Sequence, residues 1–300
     1  MHDIIGDIHG HADALLKLLR QLGYTNQNGV YRHPERQAIF LGDFIDRGPK
    51  IRETLEIVRP MIDSGAALAV MGNHELNALA FHTPVPKSPG EHLRRHNEKN
   101  SHQHAETMRQ VPAGELASYL HWFRTLPLWL DLEGLRVVHA CWDETRMAKV
   151  SGPITDDFLR AACSSGGSLF EPVEAILKGK EARLPDGATF RDKDGHEQSA
   201  TRVKWYEPPD GHTYRTYSMA SEQIEPDTQL PEEVLQAAVP YPKDGKPVFV
   251  GHYWLNGKRP QLLRQNVACV DWSVAKGGFL CAYRWDGERE LDAGKFVWTE

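Results

Sequence analysis

QAIFLGDFIDRGPKIRETLEIV, residues 37–58, holds the arrangement that decides the fold. Gln37 to Leu41 is a short apolar run of strand length, GDFIDRG (42–48) is a polar loop, and Ile51, Leu55, Val58 and Ile62 recur at helical spacing before Gly65. Strand, loop and helix follow in that order, with two carboxylates and a guanidinium in the loop. The same order stands on either side. His2 to Ile5 predicts a strand, GDIHG (6–10) a loop, and Ala12 to Leu22 a helix with Leu15, Leu18, Leu19 and Leu22 on one face, stopped at Gly23. Ala66 to Met71 predicts a third strand, GNHE (72–75) a third loop, and Leu76 to Phe81 a third helix. Three βα units in succession imply an α/β fold with a largely parallel sheet and crossover helices.

Further out the pattern changes. Residues 82–115 are rich in His, Arg, Asn, Gln and Pro and read as an exposed insertion. Leu116 to Leu130 is apolar with four aromatic residues, and Leu135 to Val138 predicts a strand running into His139. A second variable region covers roughly 173–243, where DG, KDG and PPDG mark turns. Pro247 to Val250 then predicts a strand ending at Gly251-His252, and Val267 to Trp272 with Phe279 to Trp285 a hairpin across SVAKGG. No repeat or linker divides the chain, so residues 1–300 read as one domain with two insertions.

Composition narrows the class. Hydrophobic residues at 40% and charged residues at 25% are ordinary globular usage, and 300 residues can bury a large core. A formal net charge of −6 argues against a broad polyanion-binding face, hence against nucleic acid as the main partner. No basic-then-apolar leader opens the sequence and no membrane-length apolar stretch occurs, while Cys141, Cys163, Cys269 and Cys281 are scattered without a CxxC pair. The expectation is a cytoplasmic protein with reduced thiols and no membrane partner.

Asp7 and His9 follow the first strand, Asp43, Asp46 and Arg47 the second, Asn73 and His74 the third, and His139 and His252 two later strands. Loops beyond the carboxyl ends of parallel strands converge on one crevice, so residues far apart in sequence can meet there. Carboxylate and imidazole donors without thiolate suit manganese, iron or zinc in a site with open positions. A carboxylate shared by two cations about 3.5 to 4 Å apart suits phosphoryl displacement, and Asp43 is the candidate bridge.

GDIHG at 6–10, GDFIDRG at 42–48 and GNHE at 72–75, with His139 and Gly251-His252 behind them, resemble the phosphoprotein phosphatase branch of the calcineurin-like metallophosphoesterases. The motif-bearing parts cover about half the chain. The resemblance implies a sandwich of two mixed β-sheets flanked by helices. It makes Asp7, His9 and Asp43 ligands of one metal and Asp43, Asn73, His139 and His252 ligands of the other. It makes His74 the acid that protonates the leaving alkoxide, Asp46 the carboxylate that orients it, and Arg47 the clamp on phosphoryl oxygens. The implied reaction is hydrolysis of phosphomonoesters, including protein phosphoserine and phosphothreonine, by direct attack of metal-bridging hydroxide. A dinucleoside polyphosphate hydrolase of the diadenosine tetraphosphate type uses the same machinery and stands as the alternative. There are departures: the GHxH of many relatives is here Gly251-His252-Tyr253-Trp254, and the second phosphate-binding Arg of eukaryotic members has no clear counterpart, with Arg202 or Lys204 a weak substitute.

The plainer readings have their own claims. A single Asp after a strand is ordinarily a helix cap or turn residue, but caps do not require His9, Arg47 and Asn-His-Glu as well. The histidines at 82, 92, 96, 102 and 104 lack repeated ligand spacing and read as a solvated loop or lid. Trp122, Phe123 and Trp129 read as core before substrate platform. Asp271 reads equally as crevice or hairpin residue, and Cys141 has no phosphate-cradling loop to make it a nucleophile. From another class, a non-catalytic metal-binding adaptor needs none of His74, Asp46 and Arg47, and a nuclease fits poorly with the acidic charge.

Overall fold

A computed structural model describes residues 1–191, 197–219, 224 and 227–300. Its first sheet carries the three predicted βα units. The strand His2–Ile5 lies parallel to Gln37–Phe40, with His2 opposite Gln37 and Ile5 opposite Phe40, and Gln37–Phe40 lies parallel to Ala67–Ala69. On the other side His2–Ile5 pairs antiparallel with Phe279–Trp285, which also pairs with Asp271–Trp272 and Phe296–Trp298. The second sheet has Val267–Cys269, Val248–Val250 and Arg136–Val138 in parallel, with Trp129–Asp131 antiparallel at its edge. Both sheets are mixed, as expected.

Side-chain alternation explains how the layers stack. Ile4, Ile39 and Val70 of the first sheet pack with Val137, Phe249 and Ala268 of the second, forming the interior of a sandwich. Their neighbours Ile5, Ala38 and Phe40 point the other way, into helix α1 (Ala12–Gln21) and helix α2 (Ile51–Asp63). A strand buried on both faces is largely apolar, which is why these runs carry little alternation; the buried Asp3 of the first strand is paired with Arg36 and Arg284. Helix α1 buries Leu15, Leu18 and Leu19, and α2 buries Ile51, Thr54, Leu55 and Val58, the spacing of a one-sided apolar stripe. Burial of each such Leu or Ile contributes about 1.5 to 3 kcal/mol.

Three expectations are corrected. GNHE is not a loop: helix α3 spans Asn73–His82, so Asn73, His74 and Glu75 form its first turn. The helix starts early because Gly72 is extended and Glu75 reaches back to accept the Gly72 N–H at 3.1 Å, the half of a capping box that a glycine N-cap allows. Val267 to Trp272 is not one arm of a hairpin, since only Asp271–Trp272 pairs with Phe279–Trp285, while Val267–Cys269 belongs to the other sheet. Val270 is where the chain changes sheets, its N–H donating to Val250 O at 2.9 Å. The stretch 82–115 is not merely a solvated loop, because helix α4 (Glu98–Gln110) crosses it with His104 and Thr107 buried. Helix α5 (Ala113–Phe123) follows, burying Trp122 and Phe123 in the core as expected.

The region 173–243 carries a small apolar cluster of its own around Leu184, Val203, Tyr214 and Tyr217. Turns occur at Asp186-Gly187 and Asp210-Gly211. The KDG turn at 193–195 lies outside the described residues. Among those described, no helix is long and apolar enough to cross a membrane, and all four cysteines are free.

Candidate metal centre

The three βα loops and the two later strand ends meet at the carboxyl edge of the sheets, and all nine site residues expected from the sequence lie there. Five of them sit at positive φ: His9 (45°), Asp43 (50°), Asp46 (65°), Arg47 (65°) and His252 (68°). A non-glycine residue in that region costs about 1 to 3 kcal/mol and persists only where its surroundings hold it. Here they do. The Asp43 carbonyl accepts His9 N–H at 2.8 Å, and the buried Glu75 carboxylate accepts the N–H groups of Asp43 and Phe44, both at 2.8 Å. Glu75 of GNHE thus clamps GDFIDRG in shape, a role that sequence reasoning missed. Two motif glycines are fixed by close approach. A Cβ on Gly72 would meet Asp43 Oδ1 at 2.2 Å, and one on Gly251 would meet Asp7 Oδ1 at 2.0 Å.

Asp43 stands at the centre. Its Oδ1 accepts the backbone N–H of His74 at 2.9 Å. Its Oδ2 lies 3.5 Å from His9 Nε2 and 3.4 Å from His139 Nε2. The opposite ring nitrogens are already committed, His9 Nδ1 to Ile45 O at 3.0 Å and His139 Nδ1 to Leu41 O at 2.6 Å. In the neutral tautomer those carbonyls select, Nδ1 carries the hydrogen and Nε2 presents a lone pair inward. Lone pairs and a carboxylate oxygen at about 3.5 Å make no hydrogen bond, but they match the spacing of atoms gathered around one cation with bonds of about 2.1 Å. His9 Nε2 and Asp7 Oδ1 are buried without a hydrogen-bond partner. Two donor groups result, His9 with Asp43 and His74, and Asp43 with His139 and His252, and Asp43 is common to both.

Asn73 and Asp7 complete the crevice. Asn73 Oδ1 lies 3.1 Å from His139 Nε2 and 2.8 Å from His252 Nδ1, while Asp7 Oδ2 accepts the His252 N–H at 3.0 Å. Burial, then the neighbouring Asp271 carboxylate, raises Asp7 well above the ordinary range. Burial pushes His9 down to about 3, and burial with the charge of His139 holds His252 well below its usual value. His139 goes the other way: burial opposes its charge, but the carboxylates of Asp43 and Asp7 outweigh burial and raise it to about 10. The field that favours a proton on His139 equally favours a cation among the same atoms, and the two compete for Nε2. The residues therefore fit a metal centre in donor chemistry, tautomer and charge.

Beside this cluster lies a second arrangement. His74 Nδ1 is 2.6 Å from Asp46 Oδ2, and its Nε2 is 4.0 Å from Asp43 Oδ2. Burial opposes a charge on His74, but Asp43 and then Asp46 raise its pKa above the usual value. The Arg47 guanidinium packs over the Trp254 ring at 4.5 Å from the centroid, and His9 lies against the same indole at 5.4 Å. The family model for calcineurin-like phosphoesterases matches residues 3–167, more than half of the chain.

The chain belongs to the calcineurin-like phosphoesterase family.

Members of this family use a divalent metal centre, and the buried Asp, His and Asn donors above lie where this phosphoesterase could hold one. An asymmetrical bis(5'-nucleosyl)-tetraphosphatase of Bacillus subtilis (strain 168) is 47% identical over 74 residues, 24% of this chain and 30% of that protein. A symmetrical bis(5'-nucleosyl)-tetraphosphatase of Psychromonas ingrahamii is 34% identical over 126 residues, 42% of this chain and 38% of that protein. The chain thus spans less than half the length of these relatives. A cold-active protein-tyrosine phosphatase of a psychrophilic Shewanella species shares the fold, with a TM-score of 0.51 at 19% identity over 94% of this chain and 75% of that one.

Several side chains of this phosphoesterase were not legible as site residues. Asp46 Oδ1 lies 2.9 Å from His104 Nδ1 and accepts from Thr107 Oγ1 at 2.6 Å, and Gln103 Nε2 is 3.5 Å from His74 Nε2. All three sit on α4, at spacings that a helical reading of 98–110 would have placed on one side. Asp271 is a crevice residue and a structural one together: its Oδ2 accepts Trp254 N–H at 2.6 Å, its Oδ1 accepts Ser273 N–H at 3.0 Å, and its charge acts on Asp7. Arg202 donates to Lys178 O and Glu181, though its charge also acts on His252; Lys204 donates to Thr216 O at 2.8 Å. Cys141 is fully buried and its thiol is pushed up to about 12, which removes it as a nucleophile at neutral pH.

Proposed function

We propose that this chain hydrolyses phosphate esters at a centre of two metal ions, with Asp43 as the shared ligand. The observation that carries the reading is the position of Asp43 Oδ2 between His9 Nε2 and His139 Nε2, 3.5 and 3.4 Å away. Asp7, His9 and Asp43 would hold one ion, and Asp43, Asn73, His139 and His252 the other. Manganese, iron and zinc all suit such oxygen and nitrogen donors. When bound, the pair supplies Lewis acidity at the phosphoryl oxygens and acidifies water for the attack.

The chain's own residues do the rest. Arg47, its guanidinium plane supported by Trp254, offers a two-pronged donor to phosphoryl oxygens. His74 belongs by distance to one donor triplet, yet its Nδ1 is committed to Asp46 at 2.6 Å and the surrounding carboxylates favour its protonated form. We assign it to the proton rather than to a metal: Nε2–H protonates the leaving oxygen as the P–O bond breaks, and Asp46 holds the imidazolium that gives it.

Phosphomonoesters, including protein phosphoserine and phosphothreonine, are the first substrate class. Dinucleoside polyphosphates are the second reading, favoured by the tetraphosphatase relatives. A manganese-supplemented panel of phosphopeptides, diadenosine tetraphosphate, mononucleotides and cyclic nucleotides separates them. Hydrolysis concentrated on one of the first two decides the class. Protein carrying two metals per chain that hydrolyses none of the panel overturns the enzymatic reading in favour of a metal-binding adaptor. The four free cysteines support a reducing, cytoplasmic setting.

A further inference from the structure

Helix α4 carries buried polar groups that the mechanism above does not use. His104 is 4% exposed and Thr107 is fully buried, and both face the Asp46 carboxylate. One carboxylate oxygen, Oδ2, meets His74 at 2.6 Å, while Oδ1 takes His104 at 2.9 Å and Thr107 Oγ1 at 2.6 Å. Thr107 Oγ1 also accepts the Asp46 N–H at 3.0 Å, so one hydroxyl ties down the strained backbone and the side chain together.

The row continues away from the site. His104 Nε2 lies 3.2 Å from His82 Nε2, and Phe81 packs on both rings. Burial, then the nearby His104, His96 and His92, pushes His82 down to about 4, which keeps it neutral at neutral pH. A neutral His82 can offer Nε2–H to His104 Nε2, and His104 then donates from Nδ1 to Asp46. A carboxylate with one oxygen held by two donors cannot turn about its Cβ–Cγ bond without breaking both. The direction of the other oxygen is thereby set, and with it the plane of His74. On the far side of His74, Gln103 of the same helix stands 3.5 Å from Nε2 and is itself held by Arg94 at 2.7 Å.

We propose that His104 is a positioning residue for the proton donor: by holding Oδ1 of Asp46 it fixes the direction in which His74 Nε2 faces the leaving oxygen. This rests on the reading of His74 as general acid. The region 82–115 is on this account a working part of the site.

The test compares leaving groups in the manganese-loaded full chain, with an alkyl phosphate that needs protonation and p-nitrophenyl phosphate that hardly does. His74→Ala is the reference, expected to lose about 10²- to 10⁴-fold on the alkyl ester and far less on the aryl ester. His104→Ala is expected to lose about 10-fold in kcat on the alkyl ester and under about threefold on the aryl ester, with KM little changed. His104→Asn, whose amide N–H can occupy the place of Nδ1–H, is expected to recover most of that loss. A readout apart from turnover is the imidazole N–H proton resonance of His74 in zinc-loaded protein, free of the paramagnetic broadening that manganese causes, assigned by its disappearance in His74→Ala. It should shift and exchange faster in His104→Ala and return in His104→Asn.

Equal losses on both esters in a folded, two-metal His104→Ala, or an unchanged His74 resonance, overturn the assignment. If His74→Ala discriminates between the esters and His104→Ala does not, the positioning role alone falls. If His74→Ala does not discriminate, the general-acid reading falls and takes this inference with it. Should His104→Ala not fold, His104→Asn against His104→Gln replaces it, and equal leaving-group ratios in that pair overturn the proposal.

Discussion

The two halves of the crevice around Asp43 are built on opposite plans. On one side, His139 and His252 stand with Asp43 about as far apart as ligands of one ion, and Asp7 Oδ1 and His9 Nε2 are buried without a hydrogen-bond partner. On the side of His74, both oxygens of the Asp46 carboxylate are taken, by His74, His104 and Thr107. Leaving a buried polar atom unsatisfied costs about 1 to 3 kcal/mol, a cost that the proposed ions would remove on the first side. The second plan is complete within the chain and suits holding one imidazole in one orientation. The two roles proposed for these sides, holding ions and steering a proton, would ask different things of a fold.

Substitutions can break that contrast at different depths. The largest effect is expected from Asp43→Asn, since Asp43 borders both halves. It should lower metal content at both positions and cut activity on the order of 10³-fold or more, the scale of losing several kcal/mol of charge stabilisation. Elemental analysis showing two tightly held ions with full activity would break the sharing of Asp43. Next is Gly251→Ala, which drives a methyl against Asp7 Oδ1 and touches the ligand side only. Metal affinity should fall about 10- to 100-fold, read by titration calorimetry, while the alkyl-to-aryl rate ratio at saturating metal stays as in the wild type. Thr107→Val is its converse. It removes both bonds between the hydroxyl and Asp46, the one donated to Oδ1 and the one accepted from the backbone N–H, and a loss of about 10-fold on the alkyl ester is expected with metal affinity unchanged, because each hydrogen bond contributes roughly 1 kcal/mol.

The smallest effect on turnover belongs to a carboxylate outside both halves. Asp143 Oδ2 meets Lys180 Nζ at 2.8 Å and Arg146 Nη1 at 2.7 Å. Burial raises its pKa, but the bonds from Lys180 and Arg146 prevail and bring it to about 2. A carboxyl depressed on folding stabilises the protein above its ordinary pKa near 4, and that contribution fades as pH falls toward 2. Asp143→Asn should therefore cost roughly 2 kcal/mol at pH 7, converge with wild type near pH 2 in denaturant titrations, and leave neutral-pH turnover unchanged. A cost independent of pH would show that the ion pairs contribute little.

How far the sequence revealed all this depended on what each residue has to do. Asp7, Asp43 and His252 were legible because they follow apolar strands, and strand ends in a parallel sheet converge wherever the chain is read. Asn73 and His74 were found, but their setting was misjudged, since a glycine before the helix and a glutamate reaching back to it moved the helix start upstream of its first apolar residue. His104 and Thr107 were lost among polar neighbours. Hydrophobic periodicity reports burial only when the buried face is apolar, and α4 turns His104, Thr107 and Gln110 inward, where Gln110 takes Ile51 N–H at 2.7 Å and donates to Gly48 O at 2.8 Å. The sheet change at Val270 was hidden because the run from Val267 to Trp272 is buried throughout and carries no turn residue where it crosses.

That crossing has a mechanical consequence. His139 and His252 hang from one layer of the sandwich, and Asp7, His9 and Asp43 from the other, so sliding between layers would alter the gap across which the two groups must cooperate. A chain passing from Val267–Cys269 to Asp271–Trp272, anchored at each end to a different layer, acts as a rivet. The spacing of the two proposed ions is thereby a property of the scaffold, and loops around the rim are free to vary without detuning it.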